Sequence, residues 1–313
     1  MFSILQSGLR VPKAARCSAS LIVLFSSAVS AQTRLDPVSV TATREPQSLR
    51  RSSADIVVID AETIRNTTAD SVEELLRRQA GIQLNRNGGP GQTSGYFIRG
   101  ASTSSTVVLV DGVRLGSATL GQADLEALSL TQIERIEVLR GPASSLYGAD
   151  AVGGVVQIFT RRGDGSPRVT GAAAIGGYRS QQGDAGVSGS EGGFDYAASV
   201  GREQSRGVSA IRPGDQFGLF NPDRDGYARN VGNLRLGYTP ATGHRIGVGL
   251  LDTRLDSHYD SADFDAAFKA DPSADFRTRL ETRLVSIDYR GAIATDWTTT
   301  LQLANVLDDS TSG

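Results

Sequence analysis

Oxygen-bearing side chains at short spacing carry the chemistry in this sequence. Asn221-Pro-Asp-Arg-Asp-Gly226 sets an amide and two carboxylates at alternate positions, and a second polar stretch supplies Asp252, Asp256, Asp260, Asp263, Asp265, Asp271 and Asp275. Donors of that kind and number suit calcium, which takes six to eight oxygen ligands. Two such loops on neighbouring hairpins would repel each other without a cation. A plainer role suits the same residues equally: solvated acidic loops that keep a rim hydrated. Catalysis has no comparable material. Two histidines and one cysteine leave little for zinc, haem or an iron–sulfur cluster, and a net charge of -2 gives no basic face for nucleic acid. No nucleophile–base pair or phosphate loop stands out, so the chain is expected to bind rather than to catalyse.

The elements that must hold those loops begin after a processing segment. Arg10, Lys13 and Arg16 precede an apolar run from Ala19 to Ala28 and a small-residue site, Val29-Ser-Ala31. Residues 1–31 therefore read as a secretory signal peptide, which would remove Cys17; a buried N-terminal helix is the alternative. No later stretch reaches the ~18 apolar residues of a transmembrane helix, so a membrane would be met by strands. Residues 32–51 form a leader containing Asp36-Pro-Val-Ser-Val-Thr-Ala-Thr-Arg44. Pro37 excludes helix there, and Val38, Val40 and Ala42 fall on one side of an extended segment suited to another protein's sheet edge. An unstructured leader or an ordinary edge strand fits as well.

Residues 52–163 sketch an α+β domain. Ile56–Ile59 reads as a strand, and Thr67 or Thr68 is expected to cap a helix through Val72, Leu75 and Leu76 that Gly81 closes. Ile82 and Leu84 start a strand before the loop Asn85–Gly95, which is too rich in Gly and Asn for regular structure. Tyr96–Gly100, Val107–Arg114 and Ile136–Leu139 complete short strands, with a helix expected near Leu128–Ile133. Leu146–Arg162 then adds a tight Tyr-Gly turn, a paired-glycine bend and a second apolar strand.

Residues 164–313 show a different grammar. Segments near 168–175, 182–190, 194–205, 227–238, 244–255, 278–291 and 296–308 alternate apolar with polar or small residues over about ten positions, the pattern of transmembrane β-strands with lipid and lumen faces. Short turns such as Thr239–Gly243 alternate with long polar loops at Glu203–Arg229 and Asp252–Arg279.

Val38-Ser-Val-Thr-Ala42, Phe97-Ile-Arg-Gly100, Val110-Asp-Gly-Val-Arg114, Ile136-Glu-Val-Leu-Arg-Gly-Pro142 and Leu146-Tyr-Gly-Ala-Asp-Ala-Val-Gly-Gly-Val-Val-Gln-Ile158 together resemble the plug of TonB-dependent outer-membrane receptors. Order and spacing match along roughly residues 36–163. Asn87-Gly-Gly-Pro-Gly-Gln92 before Phe97 looks most like the cobalamin receptors of that family. The resemblance implies an α+β plug domain followed by an antiparallel transmembrane β-barrel in the outer membrane of a Gram-negative bacterium. About seven strands against the ~22 of plugged transporters make that barrel incomplete, the N-terminal part of a receptor. Import of cobalamin driven by TonB is the implied function, by a monomer in outer-membrane lipid; a receptor for a siderophore or another nutrient, or a truncated, non-transporting product, are the alternatives.

The same resemblance implies residue roles. Asp36, Pro37, Val38, Ser39, Val40, Thr41 and Ala42 would form the TonB box. Calcium would order the two long loops through Asn221, Asp223, Asp225, Tyr259, Asp260 and Asp271, while Ser209 stands where one further aspartate is expected. Thr93, Gly95, Ser102, Leu120 and Gly121 would touch cobalamin from below, and Ser261 from above; small polar residues are also what any loop apex contains. Arg99, Arg140 and Arg161 are expected to pair either with acids on the barrel wall or, within the plug, with Glu134, Glu137 or Asp111.

Overall fold

The computed structural model describes residues 38–39, 47–48, 53–89, 91–116, 121–264, 270–271, 276–294 and 297–313. The expected signal peptide with Cys17, most of the TonB box (Asp36, Pro37, Val40, Thr41, Ala42), Leu120, Asp265 and Asp275 lie outside the described residues. Within the leader, β1 (Val38–Ser39) pairs antiparallel with β2 (Gln47–Ser48).

The first folded part is a mixed sheet with two covered faces. Its strands are β3 (Ile56–Ile59), β6 (Thr106–Val110), β7 (Val113–Leu115), β8 (Ile133–Arg140) and β9 (Gly154–Thr160), in the order β3-β8-β9-β6-β7 with only β6 and β9 parallel. β6 reads as an unbroken apolar run because all five of its residues are buried, as strands covered on both faces do. On one face Val108, Val110, Ile136, Val138, Val156 and Ile158 pack with α1 (Ala61–Asn66), α2 (Val72–Arg77) and the hairpin of β4 (Ile82–Arg86) and β5 (Ser94–Ile98). On the other, Val107, Leu109, Leu139 and Val155 are covered by Ala143 and Ala151, with Tyr147 of the one-turn helix α3 (Ser144–Tyr147) packed alongside. That second lid closes on itself through Ala143 N–H to Ala151 O, 2.8 Å, and Gly141 N–H to Gly153 O, 3.0 Å.

Four local expectations are corrected. α2 is capped by Ser71, whose Oγ accepts from Glu74 N–H at 3.3 Å; Thr67 instead ends α1, a helix that starts at Asp60 and that the sequence reading passed over. Both helices have only six residues, too few for the 3.6-residue apolar period to repeat. Gly81 (φ 77) turns the chain into β4, and α2 ends earlier, at its C-cap Arg78. In place of a helix near Leu128–Ile133 there are two 3-10 turns, Leu125–Ala127 and Leu130–Gln132. Val107–Arg114 is a hairpin, because Asp111 (φ 49) and Gly112 (φ 87) are both left-handed, the backbone of a type I′ turn.

The remaining strands form one antiparallel wall: β10 (Arg168–Ile175), β11 (Gln181–Glu191), β12 (Phe194–Ser205), β13 (Tyr227–Ala241), β14 (His244–Tyr259), β17 (Phe276–Ala294) and β18 (Trp297–Ser312), each paired with the next. β15 (Asp263–Phe264) and β16 (Ala270–Asp271) form a small ladder inside the loop joining β14 to β17. The seven expected strands are thus the seven observed. At 15 to 19 residues, β13, β14, β17 and β18 exceed the ~9–11 residues needed to cross hydrocarbon, so the wall rises past the membrane. The crossing is marked on its outer face. Leu236, Ile246, Val248, Leu250, Val285 and Ile287 are exposed there. Beyond them the outward residues become charged cross-strand pairs: Asp252 with Arg283 (2.8 Å), Arg254 with Glu281 (3.3 Å) and Asp256 with Arg279 (3.0 Å). Asp252 and Asp256 therefore belong to β14, outside the acidic loop in which the sequence reading placed them.

The inner face is not uniformly polar. Leu251 and Leu284 join the plug core, and Leu255, Leu280 and Tyr227 pack on Ala127 of the plug. Polar links supplement them: Arg235 of the wall pairs with Asp111 of the plug at 3.4 Å, and Gln302 Nε2 donates to Asp111 O at 3.0 Å. Two of the plug arginines follow the intradomain alternative, but with a partner other than Glu134, Glu137 or Asp111. Arg140 pairs with Asp55 at 2.5 Å, and Arg99 also pairs with Asp55; Arg161 makes no ion pair among the described residues. Among the described residues, the Arg235–Asp111 pair thus has its acid on the plug and its base on the wall. Leu251→Ala is expected to cost about 2 kcal/mol of plug–wall packing, seen as earlier protease cleavage within residues 53–162 as urea is raised.

Candidate functional site

The two long loops meet above β13 and β14. Asp260, just past the end of β14, reaches across to the loop joining β12 to β13. Its Oδ2 accepts from Ser209 Oγ and Ile211 N–H, both at 2.9 Å, and its Oδ1 accepts from Asn221 N–H at 3.1 Å. Asp225 accepts from Ala210 N–H at 2.8 Å and is 2 % exposed. The carboxylate oxygens of Asp223, Asp225 and Asp260 lie within 4.8 Å of one another. Burial, and then the charges of Asp260 and Asp223, push the Asp225 carboxyl up to about 6. Crowded carboxylates of that kind are what a divalent cation would relieve, and hard oxygen donors are the ligands calcium prefers. The donor set fits calcium.

Most of the expected ligands are brought together. Asp223, Asp225 and Asp260 form the cluster, and Asn221 joins it through its backbone. Ser209, at the position where an aspartate is expected, stands within the cluster as a hydroxyl donor to Asp260. Tyr259 is adjacent in sequence but turns its ring to Phe276, 5.7 Å away. Asp271 lies in the β15–β16 ladder opposite Asp263. The backbone donors of Ala210 and Ile211 are not legible in the sequence, since a main-chain N–H leaves no mark on residue identity.

The plug meets this cluster from below. Asn87–Thr93 caps the β4–β5 hairpin and is closed by Asn87 N–H to Thr93 O, 3.1 Å. Gly91 (φ 83) runs so close to Tyr227 that a Cβ would lie 2.9 Å from the Tyr227 side chain, and Gln92 donates its amide to His258 O. His258 N–H in turn donates to Gly226 O at 2.9 Å, next to Asp225. The apical plug loop and the acidic cluster thus share one stretch of wall. Of the expected ligand contacts, Thr93, Ser102 and Gly121 are exposed, while Gly95 and Ser261 are half-buried. Thr103, beside Ser102, binds Tyr96 N–H and O through its hydroxyl at 3.0 and 2.9 Å, which returns the chain to Gly95.

Beneath the loop lies a carboxyl that the sequence did not single out. Glu126, 1 % exposed, accepts from both the N–H and the hydroxyl of Ser94. Burial raises its pKa well above the carboxylate range, and the neighbouring Glu73 raises it further. Asp124 is pushed up to about 6, chiefly by burial and then by Asp308 of the wall.

The family model described as the TonB-dependent receptor plug domain matches residues 48–155. A vitamin B12 transporter of Vibrio cholerae serotype O1 is 37% identical over 206 residues, covering 65% of this chain and 33% of its own length. The chain therefore spans about a third of the length of the curated relatives it matches. Among solved structures, the pyoverdine receptor of Pseudomonas aeruginosa PAO1 superposes with a TM-score of 0.72 at 17% identity, over 87% of this chain and 40% of that one. The siderophore receptor PiuA of Acinetobacter baumannii gives 0.64 at 20% identity, over 84% of this chain and 38% of that one. Residues 48–155 thus match the plug domain of TonB-dependent receptors, and the plug sheet with the antiparallel wall that follows it has the fold of the outer-membrane receptors to which it is similar.

Proposed function

We propose that this chain serves cobalamin uptake, binding the corrinoid at the extracellular face and passing it to the periplasm with energy drawn through TonB. The observation that carries the reading is the acidic cluster, in which Asn221, Asp223, Asp225 and Asp260 converge above the plug apex. Its supporting relative is the vitamin B12 transporter; the siderophore receptors share the fold alone. Calcium would join the two loops through Asp223, Asp225 and Asp260, with Asn221, Tyr259 and Asp271 as further donors. Thr93, Gly95, Ser102, Leu120 and Gly121 would meet cobalamin from the plug, and Ser261 from the loop. Asp36 to Ala42 would offer TonB a strand, a use for which the extended Val38–Ser39 is already shaped. The working unit would be a monomer in outer-membrane lipid.

Cobalamin binding measured with calcium and with chelator tests both parts. Binding absent in both arms removes the cobalamin assignment, and binding unchanged by chelator removes the calcium site. A siderophore receptor predicts corrinoid-independent binding indifferent to the chelator. Ser209→Asp gives a check of opposite sign. A fourth carboxylate beside Asp260 is expected to tighten calcium about tenfold, while lowering stability in chelator through like-charge repulsion. Titration calorimetry and thermal unfolding read the two effects separately.

A further inference from the structure

A second concavity lies on the outer side of the same wall. It has a volume of about 780 Å³ and is lined by Arg179, Arg206, Arg224 and Arg277 among polar residues that include Gln181 and Gln204. The acid in its lining, Asp256, is already paired with Arg279 at 3.0 Å, and the remaining titratable groups there are His258, 4.0 Å from Asp256, and Tyr227. Arg179, Arg206 and Arg224 are exposed and make no ion pair among the described residues. Their placement is fixed by the backbone. Tyr178 (φ 53) and Arg179 (φ 55) are both held left-handed at the tip between β10 and β11, an uncommon state for such residues. Arg206 N–H donates to Tyr178 O at 3.0 Å, which ties that tip to the loop after β12. Four guanidinium groups, from the β10–β11 tip, the two ends of the β12–β13 loop and β17, thus converge on one hollow.

Its height identifies the occupant. On β12 the last exposed apolar residue of the outer face is Val200, and the hollow begins at Gln204, four residues further on. At ~3.3 Å per residue and a tilt near 40°, that is roughly 10 Å above the apolar band. Phospholipid head groups occupy only about 5–8 Å beyond the hydrocarbon. A phosphate at this level must be carried outward on sugar. Guanidinium groups favour phosphate through paired hydrogen bonds, and Tyr178, 63% exposed beside them, is of the amphipathic type found at membrane interfaces. We propose that this arginine hollow is a docking site for a phosphorylated glycolipid of the outer leaflet, on the outer side of the wall that carries the acidic loops.

The test uses the chain in detergent micelles, with lipid A bisphosphate, phosphatidylglycerol and inorganic phosphate as separate probes. The parent is expected to bind lipid A bisphosphate at least tenfold more tightly than the other two. Arg179→Ala and Arg206→Ala combined should lose at least tenfold of that affinity while calcium binding by the acidic loops is unchanged. Gln204→Glu, which keeps every arginine and adds an opposing charge to the lining, should weaken lipid binding in the same direction. Equal binding by the parent and both variants overturns the site. Equal binding of phosphatidylglycerol or inorganic phosphate overturns the glycolipid as its occupant.

Discussion

In an Asp260→Ala variant, calcium binding by the acidic loops is expected to fall at least about a hundredfold, and cobalamin binding to fall with it. Asp260 does two jobs in the geometry: it contributes a carboxylate to the cluster and it is the acceptor that pins Ser209, Ile211 and Asn221 of the opposite loop. Hydrogen bonds to a charged acceptor contribute about 1.5–3 kcal/mol each. The site is only part-buried, so about 3 kcal/mol in all is the appropriate scale, which is the hundredfold stated. Asp223→Ala is the internal control. Asp223 is exposed and accepts no hydrogen bond among the described residues, so it should lose calcium affinity without loosening the loop. Hydrogen exchange over residues 206–226 distinguishes them: faster in Asp260→Ala, unchanged in Asp223→Ala in the presence of chelator. Calcium affinity in Asp260→Ala equal to the parent's would remove the cluster from the proposed mechanism.

The wall was legible in the sequence because one physical rule governs it throughout. Alternation of period two must match lipid on one side, and all seven strands emerged near their expected positions. What alternation could not convey was the inner face. Leu251, Leu255, Leu280 and Leu284 look like lumen positions by parity but are apolar because the plug covers them. That is tertiary context, absent from any local window. The acidic loops were legible by residue type, whereas the donors that shape them are main-chain N–H groups. Arg140 and Arg99 show a third limit. Their partner is Asp55, 85 and 44 residues away, and nothing in local spacing separates it from Glu134, Glu137 or Asp111. Motif resemblance located the domain, but pairing within it is a property of the folded sheet.

Glu126→Gln is expected to remove most of a pH dependence that the parent's plug carries between pH 5 and 7. The folded pKa of Glu126 is raised by burial and by Glu73, so the native state keeps a proton that the unfolded chain gives up above about 4.5. The contribution is therefore fully favourable below that value and is lost as pH rises toward the raised folded pKa, at about 1.4 kcal/mol per pH unit. Across pH 5 to 7 the loss is about 3 kcal/mol. Asp124, pushed up to about 6, acts in the same direction but is spent above that pH, so the slope between pH 6 and 7 belongs to Glu126. Glutamine keeps the oxygen that accepts from Ser94 and cannot ionise beside Glu73. The variant should match the parent at pH 5, exceed it at pH 7 and show a flattened slope above pH 6 in thermal or urea unfolding. An unchanged slope would mean that Glu126 ionises freely, which its geometry opposes. The consequence reaches the ligand face, because Glu126 anchors Ser94 at the foot of the apical loop while its neighbour Ala127 packs on Tyr227, Leu255 and Leu280 of the wall. Charging this one buried carboxyl would loosen the contact that holds the plug apex beneath the acidic loops.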